Sequence, residues 1–217
     1  MDIELNNVYY RYDKEWVLEN ISVVFRTNEV VHIVGSNGSG KTTLMKIASL
    51  IYRPTKGYVI TDGKDFWKLD EKTRTMIRRH VVYVHEKPIL IRGSVIDNIV
   101  FGLTLRGINK YKAMDIAKDI LDRLGIADLS ERPVHKLSIG LAQLVAIVRA
   151  LVVQPQVLFL DESFANLDEE KKRKVIEILL DLREEGVGIV IASHIENIPD
   201  IDIDKRIFLK NGKLVSS

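Results

Sequence analysis

The chain has 217 residues, and its 32 Lys and Arg against 30 Asp and Glu leave a formal net charge of only +2. This balance argues against a nucleic-acid binder that depends on a large basic excess. Hydrophobic residues make up 46% and charged residues 29%, which excludes a disordered or fibrous chain, and the lack of cysteine excludes disulfides, thiolate metal sites and cysteine nucleophiles.

The N-terminal sixty residues contain two kinds of strand pattern. Runs of β-branched and aromatic residues, broken by turn residues, predict a small antiparallel sheet over residues 3–12, 17–25 and 57–61. A continuous apolar run at residues 30–34 instead predicts a buried strand, and the residues after it predict a helix over 41–52.

Beyond residue 80, strand and helix patterns alternate. Apolar runs predict further strands at residues 81–84, 157–160 and 188–192, and a late strand is predicted at 206–209. Such runs are typical of parallel strands covered on both faces. Residues 89–153 are mostly helical in pattern, with a helix over 113–124 that Gly125 ends, and an amphipathic helix is predicted over 169–185.

A glycine-rich motif lies between the first buried strand and its helix. The pattern G-x-x-x-x-G-K-[ST] is satisfied by Gly35, Ser36, Asn37, Gly38, Ser39, Gly40, Lys41, Thr42 and Thr43. The glycines allow the backbone to close around a phosphate, and the N-terminus of the following helix adds positive charge. In such a loop Lys41 reaches the β- and γ-phosphates and the hydroxyl of Thr42 binds Mg²⁺. The alternative is a chance glycine-rich turn.

Two carboxylates follow the apolar run at residues 157–160. Asp161 comes at the end of this predicted strand and Glu162 directly after it. Because adjacent residues at a strand end point in different directions, the two carboxylates can have different roles. One is expected to coordinate Mg²⁺ and the other to polarise an attacking water.

With its remaining motifs, the chain resembles the nucleotide-binding domain of the ATP-binding cassette (ABC) family over residues 3–215. Residues 137–151 line up with the family signature LSGGQxQRVAIARAL, and residues 164–168 resemble its D-loop. His194 follows a strand, as the switch histidine of the family does, and Tyr12 lies where the family has an aromatic residue that stacks on adenine. Residues 92–102 resemble the GTVxENIxFG segment found in many exporters.

The resemblance implies a fold of the α/β class. It would be a P-loop NTPase with a mostly parallel central sheet, an N-terminal antiparallel β subdomain and an inserted α-helical subdomain. A single domain would span residues 1–217, with its core at 1–86 and 154–217. The helical subdomain, at about 87–153, would carry the signature.

The resemblance also implies a mechanism and a dimer. Two such domains, identical or different, would stack head to tail with ATP between them. Ser138 and Gly140 would contact the nucleotide bound by the partner, and Asp168 would lie at the dimer seam. Glu162 would act as general base and His194 would contact the γ-phosphate, together with the catalytic Lys41.

The function implied is that of an ATP-binding and ATP-hydrolysing subunit that powers a membrane transporter. No apolar run reaches the roughly eighteen residues of a membrane-spanning helix, so the membrane part would be a separate permease subunit. The chain would then be cytoplasmic, peripheral on the inner face of the cell membrane, without a nucleic-acid partner. Two alternatives remain open: a soluble ABC ATPase in assembly or repair, and a slowly hydrolysing ATP-gated switch that forms half of a heterodimer with a degenerate site.

The chain departs from the family at two places. Glu86 stands where the Q-loop usually has a glutamine. A carboxylate can still ligate Mg²⁺, so we expect metal binding to survive and hydrolysis or coupling to change. Ile139 and Leu141 replace a glycine and a glutamine of the signature. The first change is mild if Ile139 is helical, but costs on the order of 1–2 kcal/mol if the loop needs a left-handed residue there.

Overall fold

The computed structural model describes residues 1–195, 198 and 201–215, which form ten β-strands and six α-helices. The strands are β1 (Asp2–Tyr12), β2 (Glu15–Arg26), β3 (Val30–Val34), β4 (Lys56–Thr61), β5 (Lys64–Asp65), β6 (Val81–Val84), β7 (Val157–Asp161), β8 (Gly188–Ser193), β9 (Lys205–Lys210) and β10 (Lys213–Val215). The helices are α1 (Lys41–Ala48), α2 (Glu71–Arg78), α3 (Val95–Thr104), α4 (Lys110–Arg123), α5 (Ile139–Leu151) and α6 (Glu169–Glu184). Within the described residues, no helix combines the length and apolar character that a membrane crossing needs.

The central sheet has six strands in the order β10-β9-β3-β8-β7-β6. Five of these strands pair in parallel, whereas β10 turns back antiparallel against β9. Every residue of β3 and of β7 is buried, which is why these strands appear in the sequence as continuous apolar runs. The five predicted strands are confirmed, although β6 and β9 are only partly buried, and β10 extends the sheet at one edge.

The central sheet separates two hydrophobic cores. On one face, side chains such as Leu158 and Ile189 pack against α3, α4, α5 and α6. On the other face, Phe159 and Val190 pack against α1 and the antiparallel sheet. Because neighbouring residues of a strand point to opposite faces, a strand between two cores is apolar at most of its positions. The parallel arrangement also places the carboxyl ends of β3, β7 and β8 at one edge, where polar residues follow the strands.

The antiparallel sheet has the strand order β2-β1-β4-β5. Its strands pair antiparallel throughout, which confirms the sheet predicted from residues 3–12, 17–25 and 57–61. Ile3, Leu5 and Phe25 are fully or almost fully buried and belong to the same core as Leu44 of α1. The antiparallel sheet therefore lies over the helix that follows the glycine-rich loop.

Helix α1 is shorter than the predicted span of 41–52. It ends at Ala48 because Leu50 takes a left-handed φ of 65°. The N–H groups of Ile51 and Tyr52 both turn back to the carbonyl oxygen of Lys46. The apolar pattern continues past the helix because Leu50 is buried and Tyr52 packs against the core, but the backbone has already left the helical path.

The segment predicted to be mostly helical contains α3, α4 and α5. Helix α4 begins three residues before residue 113, because the side chain of Asn109 accepts a hydrogen bond from the N–H of Tyr111 and caps the helix there. Gly125 follows its end with a φ of 65°, as predicted. Helix α2 has no counterpart among the predicted elements: none of its residues is buried, and its N-terminus is fixed by Asp70, which accepts from the N–H of Thr73.

Candidate active site

The glycine-rich loop, residues 35–40, joins the end of β3 to the start of α1. Gly40, which precedes the first residue of α1, has a left-handed φ of 104°. A Cβ atom at this position would lie 2.9 Å from Cδ2 of Leu18 and 3.0 Å from the carbonyl oxygen of Val17. Within the described part of the chain, no side chain caps the N-terminus of α1. Its first N–H groups can therefore bind an anion, as a phosphate site requires.

The side chain of Lys41 lies folded over this loop. Its ammonium donates hydrogen bonds to the carbonyl oxygens of Gly35, at 2.8 Å, and Ser36, at 3.2 Å. It also lies 3.3 Å from Oε1 of Glu162, and the Lys41 side chain is only 6% exposed. The cation is therefore held at the loop by three oxygen atoms, a position from which it can reach a phosphate bound there.

Asp161, the last residue of β7, is fully buried. Its Oδ2 accepts a hydrogen bond of 2.6 Å from the hydroxyl of Tyr83, whereas its Oδ1 has no partner among the described residues. Burial and the charge of Asp161 raise the pKa of Tyr83 far above its usual value, so the phenol stays protonated and donates. A buried carboxylate oxygen without a partner, at the carboxyl end of a strand, suits a Mg²⁺ ion.

Glu162 points away from Asp161 and into the site. Its backbone has a left-handed φ of 47°, and its N–H donates to the carbonyl oxygen of Ala192 in β8. The side chain is 14% exposed, with Oε1 facing Lys41 and Oε2 lying 3.1 Å from Nδ1 of His194. The left-handed turn costs about 1 kcal/mol in a non-glycine residue, and it separates the directions of the two adjacent carboxylates.

A cavity of about 390 Å³ brings most of these residues together. Its lining consists of Val17, Asn37, Gly38, Gly40, Lys41, Thr42, Thr43, Glu86, Glu162, Ala165 and His194. The glycine-rich loop, the carboxylate of Glu162 and the switch histidine thus surround one space, and Glu86 places a second carboxylate in it. Asp161 lies behind this lining, whereas Tyr12, Ser138, Gly140 and Asp168 lie outside it.

Tyr12 belongs to an aromatic cluster on the antiparallel sheet. The ring of Tyr10 stacks on that of Tyr52 at 5.5 Å, and Tyr12 packs edge-on against both. Tyr12 remains 46% exposed, so part of its ring is available for a further stacking partner.

The signature residues lie at the start of α5. Ser138 caps the helix, since its hydroxyl accepts a hydrogen bond of 3.3 Å from the N–H of Leu141. Ile139 is the first helical residue and is 62% exposed, so it takes ordinary helical geometry and carries no left-handed strain. A Cβ atom on Gly140 would lie 2.3 Å from the carbonyl oxygen of Asn166. The D-loop segment, residues 164–168, therefore packs directly on the first turn of α5.

Asp168 has a structural role at its position. Its carboxylate caps α6 by accepting a hydrogen bond of 2.9 Å from the N–H of Lys171, and it pairs with the ammonium of the same residue. These hydrogen bonds lower the pKa of Asp168. The carboxylate fixes the end of the D-loop segment while remaining on the surface.

Two polar contacts hold the chain on either side of Glu86, and the sequence motifs do not predict them. The amide of Gln143 in α5, which is fully buried, donates to the carbonyl oxygen of His85 at 3.1 Å. The guanidinium of Arg149, one turn and a half further along α5, donates to the carbonyl oxygen of Ile89 at 2.6 Å. Helix α5 is thereby tied to the chain on both sides of Glu86, as well as carrying Ser138 and Gly140.

Comparison with protein families and known proteins gives consistent matches. The family model described as "ABC transporter" matches residues 18–165. An energy-coupling factor transporter ATP-binding protein of Methanocaldococcus jannaschii is 33% identical over 216 residues, covering 98% of this chain and 77% of that protein. A glutamine transport ATP-binding protein of Escherichia coli is 34% identical over 216 residues, covering 98% of this chain and 89% of that protein.

Solved structures match along nearly the whole chain as well. A dimeric ATP-binding cassette in a post-hydrolysis state, bound to ADP and phosphate, is 27% identical with a TM-score of 0.88, and the match covers 98% of this chain and 96% of that one. The cbiO1 protein of Clostridium perfringens, part of the ABC transporter complex cbiONQ, is 29% identical with a TM-score of 0.81, covering 99% and 86%.

Proposed function

The chain belongs to the ABC transporter family, and from this premise we propose how its residues bind and hydrolyse ATP. The fold is that of a P-loop NTPase, and the family activity is ATP hydrolysis coupled to transport. The observation that carries the proposal is the placement of the Glu162 carboxylate between Lys41 and His194, in the cavity that the glycine-rich loop lines.

The glycine-rich loop would bind the triphosphate of ATP. Its N–H groups and the N-terminus of α1 favour negative charge, and Lys41 already lies over the loop. Tyr12 would stack on the adenine through the exposed part of its ring. A bound phosphate oxygen would compete with the loop carbonyls for the Lys41 ammonium, so that the cation moves from its own backbone to the nucleotide.

Mg²⁺ is the metal that suits these donors. Thr42, Asp161 and Glu86 would hold it: Asp161 has a buried oxygen without a described partner, and Glu86 lines the cavity. The ion would offset the charge of the phosphates during their transfer. Since Glu86 contributes a carboxylate where the family has an amide, we propose that metal binding is retained and the rate of hydrolysis altered.

Glu162 would accept the proton of the attacking water. Its Oε1 lies near Lys41 and its Oε2 near His194. When the nucleotide draws the Lys41 cation away, Oε1 becomes free to bind and deprotonate a water molecule. His194 would hold the other oxygen and orient the carboxylate. A positioned general base contributes roughly 10²- to 10⁴-fold to the rate.

Ser138, Gly140 and Asp168 would act on the nucleotide of a partner. All three lie outside the cavity of their own chain, and Ile139 between the first two is exposed. A head-to-tail dimer of two such chains, or of this chain with a different one, would place the signature of each over the nucleotide of the other. The dimeric relative with bound ADP and phosphate supports this arrangement.

A separate permease would dock on a second cavity, of about 390 Å³, whose lining includes residues on both sides of Glu86. Its lining includes Ile89, Phe101 and Leu105, which are 58%, 40% and 60% exposed. Apolar side chains exposed together around a groove favour a protein partner. Docking there would place the chain on the inner face of the membrane and link the permease to Glu86 through the helical subdomain at about residues 87–153.

Complementation between two inactive variants tests the head-to-tail site. Lys41→Met removes the cation at the glycine-rich loop, and Ser138→Arg blocks the signature. Each variant alone should therefore lack ATP turnover. Half of the dimers in an equal mixture are mixed, and each of these has one intact site of two, so the mixture should regain up to roughly a quarter of the wild-type turnover. If the wild type itself shows no ATP turnover at any protein concentration, hydrolysis by a homodimer is refuted. If the wild type is active but the mixture is not, the head-to-tail arrangement is refuted.

A further inference from the structure

A buried histidine lies one strand away from the switch histidine. His32, in the middle of β3, is fully buried in a strand whose other four residues are valine or isoleucine. In the parallel pairing of β3 with β8, His32 lies opposite Ile191, so Ser193 is two residues further along the neighbouring strand. Residues two apart on a strand share a face, and Nε2 of His32 indeed lies 2.9 Å from Oγ of Ser193.

The direction of this hydrogen bond follows from the second partner of Ser193. The Ser193 hydroxyl has a single proton, which it donates to the carbonyl oxygen of Ile195 at 2.8 Å. It must therefore accept from His32, whose proton is on Nε2. Nδ1 of His32 is buried and has no partner in the described residues, which fits an unprotonated nitrogen. Burial, with a smaller contribution from Arg206, lowers the pKa of His32 to about 4, so the ring is neutral at physiological pH.

His194 lies between the two residues that the Ser193–Ile195 hydrogen bond joins. The switch turn, residues 193–195, has its first side chain bonded to the carbonyl of its last residue. The side chain of His194 is 52% exposed, so packing alone does not fix its direction. The turn also lines a cavity of about 220 Å³ that includes Phe164 and Ile198 in its lining. Hydrogen bonds rather than close packing thus define this turn.

We propose that His32 is a positioning residue for the switch histidine: it orients the hydroxyl of Ser193, which holds the turn that directs Nδ1 of His194 to Glu162. The distance from this nitrogen to Oε2 of Glu162 is 3.1 Å, within hydrogen-bond range. His32 is not among the residues that line the nucleotide cavity, and its hydrogen bond to Ser193 is the contact through which it would act. The inference rests on the proposed role of His194 and Glu162 in hydrolysis.

The test uses three variants of the whole chain. His32→Leu introduces an apolar side chain of similar size and removes the donor, whereas His32→Gln retains an N–H donor. Ser193→Ala removes the hydroxyl that links His32 to the turn. We expect His32→Leu and Ser193→Ala each to lower kcat by roughly ten- to a hundredfold, as small misplacements near a reacting centre do, with KM within about twofold of the wild type. His32→Gln should recover most of the loss, and the double variant His32→Leu/Ser193→Ala should be no slower than either single variant.

Thr61→Val is the matched control. Thr61 is also buried, at 2% exposed, and its hydroxyl has no partner among the described residues, but it lies in β4, away from the switch turn. Its kcat should equal that of the wild type. A His32→Leu chain with wild-type kcat would overturn the proposal, as would a Gln variant that is as slow as the Leu variant. If His32→Leu does not fold, the proposal is tested by the other two variants: the kcat of Ser193→Ala should fall and that of His32→Gln should stay close to the wild-type value. An inactive wild type would instead refute the proposed function.

Discussion

Removing the hydroxyl of Tyr83 should destabilise the nucleotide-free chain by about 2 kcal/mol. This hydroxyl gives Asp161 a hydrogen bond of 2.6 Å, and the carboxylate, fully buried, has no other described partner. Hydrogen bonds to charged groups contribute about 1.5–3 kcal/mol to stability. A buried carboxylate that loses its donor loses this whole contribution. The Tyr83→Phe change removes one oxygen atom and leaves almost no cavity. For a domain of this size the loss corresponds to a fall in Tm of roughly 4–8 °C.

Chemical denaturation of the wild type and of Tyr83→Phe measures this loss directly. Tyr58→Phe is the matched control, because Tyr58 is 53% exposed and its change should stay within about 0.5 kcal/mol. Adding Asp161→Asn to Tyr83→Phe should recover part of the lost stability, since the buried group left without its donor is then uncharged. A stabilising Tyr83–Asp161 hydrogen bond is ruled out if Tyr83→Phe is as stable as the wild type, or if the double variant shows no coupling between the two residues.

Three further predictions concern the signature and the buried histidine. Ile139→Gly should lower the free energy of unfolding by less than about 1 kcal/mol, since Ile139 is an exposed residue at the start of a helix. Removing this exposed side chain should raise ATP turnover by giving the partner closer access to the signature. Unchanged turnover would show that the Ile139 side chain does not slow hydrolysis. Gly140→Ala should lower both Tm and turnover despite better helix propensity, because its Cβ would lie 2.3 Å from the Asn166 carbonyl oxygen; a more stable, fully active variant would contradict this. His32 has a pKa of about 4 when folded, against an ordinary 6.5, so the unfolded chain binds its proton first and stability is lost as pH falls below 6.5. This loss should reach about 2 kcal/mol at pH 5 and be missing from His32→Gln in pH-dependent denaturation.

The sequence predicts those parts of the fold whose cause is local. The strands at 30–34, 81–84, 157–160 and 188–192 are each visible as a mainly apolar run, because a strand covered on both faces has few polar positions. The spacing of the glycines before Lys41 likewise reflects a single short loop. Helix α2 is missed because none of its residues is buried, so no apolar pattern marks it. The end of α1 is missed because Leu50 is apolar and buried although it has left the helix.

The candidate site is likewise only partly predictable from local sequence. The sequence predicts that Asp161 and Glu162 point in different directions, and the structure places the first behind the cavity and the second, after a left-handed turn, in its lining. The Tyr83–Asp161 and His32–Ser193 contacts join residues 78 and 161 positions apart in sequence. They depend on which strands are neighbours in the sheet, and no motif in one strand specifies that. Buried polar residues inside otherwise apolar strands are the one sequence signal that could have pointed to both.

The most direct test of the account is ATP turnover by Glu162→Gln in the presence of Mg²⁺. The amide cannot accept the proton of water, so turnover should fall by roughly 10²- to 10⁴-fold, while ATP binding, measured by equilibrium titration, should be retained. Glu184→Gln is the control: this exposed residue of α6 lies outside the nucleotide cavity, and its variant should have wild-type turnover. A Glu162→Gln chain that binds ATP and hydrolyses it at the wild-type rate would contradict the role of Glu162 as the general base.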